Sequence, residues 1–273
     1  MKKHSVLKAA ALTAAAYTVS LRGRTKHPDL EILRRYRFAH RGYHDKPVVP
    51  ENSLPAFRRA IEHGWGAELD VHLMKDGTLA VIHDSSLLRT AGADVQIEDL
   101  TREELENYRL EGTDERIPLF DEVLALFENT TPLIIELKAA NGNHFALSKA
   151  VCERLDSYKG VFCIESFDPM VVADVRELRP GICRGQLAEN FLKDKGALDP
   201  VRSVLATGLI GNALAKPDFI AFKFEDRSCV SNALCLKLWG IQGVAWTIRS
   251  KHDLLTAEAE GLIPIFEKFD PKA

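Results

Sequence analysis

Residues 67–84 read Ala-Glu-Leu-Asp-Val-His-Leu-Met-Lys-Asp-Gly-Thr-Leu-Ala-Val-Ile-His-Asp, two strand-like runs (67–75 and 78–84) on either side of Asp76-Gly77. An Asp-Gly step between β-runs is a strong hairpin signal, because the tight turn holds its central residues at positive φ. The second run is then antiparallel to the first and cannot be the next strand of a parallel sheet. With a two-residue loop, Lys75 faces Thr78 and Asp70 lies opposite His83, with Glu68 two residues along on the same face. The other face reads Leu69, Val71 and Leu73 against Ala80 and Ile82. On this register two carboxylates and an imidazole converge through backbone geometry alone.

With 78–84 set aside, eight β-rich runs remain: 38–42, 67–75, 133–138, 161–167, 183–188, 219–224, 244–248 and 263–269. Helical stretches separate them, at 52–63 behind Ser53 as N-cap, 119–127 after Pro118, 143–157, 168–178 and 229–239. Eight parallel strands with intervening helices predict an α/β fold, a TIM (β/α)8 barrel with a β-hairpin and an inserted segment after strand 2. The insertion is placed at 85–117, where Thr101-Arg-Glu-Glu-Leu105 carries a capping signal. A chain of 273 residues suits one barrel domain, read here as 31–273, behind an N-terminal segment of residues 1–30.

The formal net charge of −3 gives no electrostatic footprint for nucleic acid. Five scattered cysteines without a C-x-x-C argue against a disulfide framework or zinc site and fit a reducing compartment. The N-terminus supports several readings. An alanine-rich run, Ser5–Leu21, contains Lys8 and is flanked by Lys2, Lys3, Arg22, Arg24 and Lys26. It is near the short limit for a bilayer span, and its basic residues on both sides set no orientation. A helix lying on a membrane or on the protein fits as well, while a cleaved signal fits less well for want of a convincing small-x-small cleavage site before Arg22, so residues 1–26 are a candidate membrane contact. The location is cytoplasmic or membrane-associated.

In TIM barrels the active site lies at the C-terminal ends of the strands. His40 and Arg41 end the first strand, Glu68 and Asp70 lie on the second, and Glu136 and Lys138 end the third. Three carboxylates make a hard oxygen site suited to a divalent cation, Ca²⁺ or Mg²⁺. His40 and His83 flank it as candidate acid and base, and Arg41 and Lys138 supply charge for an anion. Together they point to phosphoryl transfer. His72 shares the cluster's face but lies nearer the turn and is left out. His4, His27, His44, His63, His144 and His252 read as surface or satisfied histidines.

As spaced here, these residues resemble the glycerophosphodiester phosphodiesterase family. The matching pieces are His-Arg-Gly (40–42), Glu-Asn-Ser (51–53), Glu-x-Asp (68–70), Asp-Gly-x-Leu-x-Val-x-His-Asp (76–84), Ile-Pro-x-Phe-x-Glu-Val-Leu (117–124), Ile-Glu-Leu-Lys (135–138), Ser-Phe-Asp (166–168) and Ala-Trp-Thr (245–247). They run in order over residues 38–250. The resemblance implies a TIM barrel with an insertion after the hairpin, and hydrolysis of glycerophosphodiesters to glycerol 3-phosphate and an alcohol. It implies a divalent cation on Glu68, Asp70 and Glu136, and His40 and His83 as the acid/base pair. Arg41 and Lys138 match phosphate contacts, and Trp246 is a candidate substrate wall. The family mechanism implies attack of a glycerol hydroxyl on phosphorus, then opening of the cyclic phosphate by water.

The tail departs from the family pattern, with Glu267 where an Asp is usual; the catalytic cluster is expected not to depend on that strand. Segment 189–217 is unusually apolar for a loop and reads as a helix of the barrel wall, or else as a lipid-facing rim. The runner-up activity is lysophospholipase D. A membrane-tethered protein that binds phosphodiesters without cleaving them is the non-enzyme alternative.

Overall fold

The computed structural model describes residues 2–193 and 198–272, with side chains from Lys8 onward. Nine strands form one sheet: β1 (Phe38–Ala39), β2 (Gly66–Leu73), β3 (Leu79–Val81), β4 (Leu133–Leu137), β5 (Phe162–Ser166), β6 (Arg184–Ala188), β7 (Phe219–Lys223), β8 (Gln242–Ile248) and β9 (Ile263–Phe266). All neighbours are parallel except β2 and β3, and pairing of β1 with both β2 and β9 closes the ring. The eight-stranded barrel is therefore as read from the runs, with β3 outside it. Because β1 is only two residues long, the upper half of that edge of β2 is free, and β3 takes it.

The hairpin corrects the expected register by one residue. Val71 pairs with Val81 and Leu73 with Leu79, and the Ile82 N–H donates to the Asp70 carbonyl at 3.1 Å. The Met74 N–H closes on the Thr78 carbonyl at 2.8 Å, so the loop is the three residues Lys75, Asp76 and Gly77. Gly77 sits at φ +86°, the left-handed position that a three-residue loop assigns to glycine. Asp70 thus faces Ile82, not His83. Leu79 and Val81 join Leu69 and Val71 in the core between strands and helices. Ala80 and Ile82 instead pack with Met74, Leu87, Ile97 and Leu105 under the insertion, which has a small core of its own.

Two buried layers hold the barrel. Inside it, Phe38, Ile134, Cys163, Cys183, Phe219 and Val244 meet, and the short helix Asp29–Leu33 plugs the lower end with Leu30 and Leu33. Outside it, helices cover the strands; Leu54–Glu62 starts as expected at Ser53, whose hydroxyl accepts the Ala56 N–H. Residues 21–33 belong to the lower face: Leu21 is fully buried, and Arg24 forms a two-pronged pair with buried Asp218.

The N-terminal run forms the helix Lys2–Ser20. No helix among the described residues is long and apolar enough to cross a membrane. Its last turns rest on the protein: Tyr17 donates to the Gly208 carbonyl and the Trp239 indole to the Thr18 carbonyl. Segment 189–217 holds the helices Pro200–Thr207 and Asn212–Ala215, with residues 194–197 outside the described set.

Candidate active site

The sharp turn after β1 is the first element of the site. Arg41 and Asn52, neither a glycine, both take left-handed φ (+55° and +52°), a strained conformation of the kind found at functional sites. The strain is held by hydrogen bonds: the Arg41 N–H donates to Glu68 Oε2 at 2.9 Å, and the Asn52 N–H to the Arg41 carbonyl at 2.9 Å. Asn52 Nδ2 then donates to Asp70 Oδ2 at 2.8 Å. Gly42 follows because a Cβ there would lie 2.9 Å from the Ala56 backbone.

Strand register does the rest. Parallel pairing of β2 with β4 sets Asp70 beside Glu136, and β4 with β5 sets Glu136 beside Glu165. Oxygens of Glu68, Asp70 and Glu136 all lie within 4.8 Å of one another, and all three residues are buried. Lys138 Nζ bridges Glu136 Oε1 at 2.7 Å and Asp70 Oδ1 at 3.0 Å. Burial first, then repulsion from Asp70 and Glu136, pushes the Glu68 carboxyl well above its usual range. Burial likewise lifts Glu136, against the pull of Lys138, to about 7. For Asp70 the balance reverses: Lys138, His83 and Arg41 together outweigh burial and hold it far down. Such a set of carboxylates is unfavourable without a further cation, and its spread suits one divalent ion with bonds of about 2.0–2.6 Å.

Above the carboxylates a cavity of about 280 Å³ opens, lined by His40, Arg41, Glu68, His83, Glu136, Lys138 and Trp246 among others. Seven of the eight sequence-derived candidates line it, and Asp70 lies beneath in the carboxylate cluster. His83 arrives despite the shifted register because β3 ends at Val81 and releases it from the pleat. Each histidine is tied through Nδ1 to its own carboxylate, His40 to Glu267 at 2.8 Å and His83 to Asp84 at 2.6 Å. In both rings Nε2 is left for proton exchange. Burial lowers both imidazoles, His40 to about 4, so the His40 ring is neutral near pH 7. His72 points elsewhere, to Glu98 through Nδ1 and to the His83 carbonyl through Nε2.

Several partners were not read from the sequence. Glu267 corrects the expectation that the last strand is dispensable, since it orients His40 and is itself held by Arg249 Nε at 2.7 Å. Glu165 is buried with Oε2 unpaired; the signal was a charge in the apolar strand 161–167, the same logic that finds Glu136. Arg89, on the insertion, donates to Asp84 Oδ2 at 2.5 Å and to Glu51 Oε1 at 2.6 Å, and Glu51 also accepts from Arg41 Nη1 at 2.9 Å. Nothing in local sequence joins residues 38 positions apart.

Arg89 thus links the orientation of His83 to that of Arg41. Arg89→Ala is expected to lower kcat by about 10- to 100-fold while stability changes by under about 1 kcal/mol, because the side chain is 44 % exposed. Arg89→Lys, a point charge that cannot span both carboxylates, is expected to recover little of the loss. Steady-state kinetics beside thermal melts check this, and a large fall in Tm with unchanged kcat would contradict it.

The model of the Glycerophosphoryl diester phosphodiesterase family matches residues 40–266. A glycerophosphodiester phosphodiesterase of Caldanaerobacter subterraneus subsp. tengcongensis is 37% identical over 240 residues, covering 82% of this chain and 91% of that protein. The human protein named Lysophospholipase D GDPD1 is 38% identical over 121 residues, 40% of this chain and 37% of that one. Among solved structures, an Oleispira antarctica phosphodiesterase in complex with the product sn-glycerol-3-phosphate matches in fold with a TM-score of 0.70 and 24% identity, over 87% of this chain and 94% of that one.

Proposed function

Because the chain belongs to the glycerophosphoryl diester phosphodiesterase family, we propose that it hydrolyses glycerophosphodiesters with the residues of this cavity, using a divalent cation, Ca²⁺ or Mg²⁺, in phospholipid breakdown. The observation that carries this reading is the convergence of three buried carboxylates with two carboxylate-tethered histidines in one cavity. Glu68, Asp70 and Glu136 would hold the cation, whose charge would offset the negative charge that develops on a phosphodiester as it is attacked. Arg41 and Lys138 neutralise the phosphate, with the guanidinium already oriented by Glu51. One histidine withdraws a proton from the attacking hydroxyl through Nε2, and the other gives one to the leaving alkoxide. Trp246 offers a buried indole Nε1–H with no protein partner among the described residues, a donor for a substrate hydroxyl or phosphate oxygen.

The non-catalytic alternative is weakened because each histidine is held by a carboxylate, an arrangement that binding alone does not call for. The acylated substrate of a lysophospholipase D stays within the same reading, favoured by a groove of about 800 Å³ lined by Phe167, Phe191, Leu205 and Leu209 that adjoins the cavity at Phe167 and Leu187. Residues 1–26 stay a candidate membrane-contact segment; residues 8–16 are exposed. The reading is tested by product identity. Glycerophosphocholine is expected to give glycerol 3-phosphate and choline in equal amounts, whereas glycerol with phosphocholine would mean that the other ester bond is cut.

A further inference from the structure

The catalytic cavity is electrically two-sided. Its acidic side is built by β2, β4 and β5, which carry Glu68, Asp70, Glu136 and Glu165. Across the ring from β2 lies β7, with β4, β5 and β6 between them one way and β1, β9 and β8 the other. Phe219 and Ala221 of β7 pack inside the barrel, so strand alternation turns Lys223 to the same interior. Lys223 emerges in the lining of the catalytic cavity, as does Arg249 from just beyond β8.

Protein partners leave much of this charge unused. Lys223 Nζ lies 3.8 Å from Glu189 Oε2, too far for a hydrogen bond, and 42 % of the lysine side chain is exposed. Ion pairs of that kind are weak. Arg249 donates through Nε to Glu267 at 2.7 Å, and among the described residues its two Nη groups have no acceptor. Strand register sets Trp246 directly beside Lys223, and its buried indole Nε1–H likewise has no acceptor among the described residues. One wall of the cavity therefore presents an ammonium, a guanidinium and an indole N–H, all donors with capacity to spare. No carboxylate of the acidic cluster stands on β7 or β8.

A phosphodiester carries one negative charge, which Arg41, Lys138 and a bound divalent cation meet on the β1–β4 side. The glycerol half brings only hydroxyls. A second negative charge on such a substrate belongs to its head group. We infer that the β7–β8 wall is a head-group subsite with Lys223 as its specificity-determining residue, and that the enzyme favours glycerophosphodiesters whose head group carries a carboxylate or phosphate. The inference rests on the catalytic reading of the cavity. An ammonium head group lacking such an anion would meet this wall as a like charge, and like charges brought together are a means of rejecting the wrong partner.

Two matched pairs of substrates isolate the charge. Glycerophosphoserine differs from glycerophosphoethanolamine by a carboxylate, and glycerophosphoinositol phosphate from glycerophosphoinositol by a phosphate. With the divalent cation present, kcat/KM for glycerol 3-phosphate release is expected to be about tenfold higher for the anionic member of at least one pair. Which pair shows it separates a carboxylate from a phosphate as the favoured anion. Lys223→Met should bring the members of that pair within about twofold of each other. Lys223→Glu should reverse their order and raise kcat/KM for glycerophosphoethanolamine above the wild-type value. A gain on one substrate is not something a merely loosened structure gives. Equal rates within both pairs in wild type, or a Lys223→Glu variant that slows both members alike, would overturn the subsite and leave the catalytic reading standing. Glycerol 3-phosphate from none of the four would sink the catalytic reading. Calorimetric titration of the cation-loaded His83→Ala variant with the same diesters then decides the wall by itself. Tighter binding of the anionic member, lost when Lys223→Glu is added, supports it, and equal affinities overturn it.

Discussion

His83→Ala is expected to lower kcat for glycerophosphocholine by about 10²- to 10⁴-fold with divalent-cation affinity unchanged, and His40→Ala to do the same. Each ring lines the cavity and is fixed by a carboxylate on Nδ1, so each presents one nitrogen to the substrate in a set orientation. Neither is among the three carboxylate residues that cluster closely enough to hold an ion. The tethers make a graded series. Glu267→Gln keeps a side chain able to accept from His40 Nδ1 but loses the charge, so it should fall between wild type and His40→Ala. Kinetics paired with a cation titration check this. A histidine variant that loses the cation along with turnover would place that ring in the metal site instead.

The second large effect lies on the carboxylates. Glu68→Gln keeps an oxygen for the Arg41 N–H yet removes one of three mutually repelling charges. Even groups one step removed from a metal are worth about 10- to 100-fold in affinity, so loss of a direct carboxylate should cost more than about 100-fold. The metal-free protein should respond the opposite way. Relieving the repulsion should raise its Tm by a few degrees, at roughly 2–4 °C per kcal/mol for a chain of this size. A metal-free variant less stable than wild type, with cation affinity intact, would mean that Glu68 serves packing and not the ion.

The two effects depend on features of different legibility. The eight barrel strands could be read because each is a short apolar run set off by helical periodicity, and the Asp-Gly step removed the ninth. The register of the hairpin could not. Period-two alternation locates a strand only when one face is buried, and here Leu79 and Val81 are buried on one face and Ala80 and Ile82 on the other. Either register hides the apolar residues equally well. An Asp-Gly pair is also compatible with a two-residue loop and with a three-residue loop ending in a left-handed glycine. Glu136 and Lys138 were visible as charges inside an apolar strand. Glu267 was visible as a residue but not as a partner of His40, because their meeting depends on closure between the last strand and the first. Arg89 is tertiary in the same sense: the insertion had to fold back over the strand ends before its guanidinium could join Asp84 to Glu51.

On the function proposed above, Glu68, Asp70 and Glu136 hold one divalent cation on which phosphodiester hydrolysis depends. That dependence is tested most directly by stripping the protein with chelator, verifying removal by elemental analysis, and following glycerol 3-phosphate release from glycerophosphocholine as Ca²⁺ or Mg²⁺ is returned. No release is expected from the stripped, folded protein, with full recovery at one ion per chain. Undiminished release from verified metal-free protein would contradict that dependence.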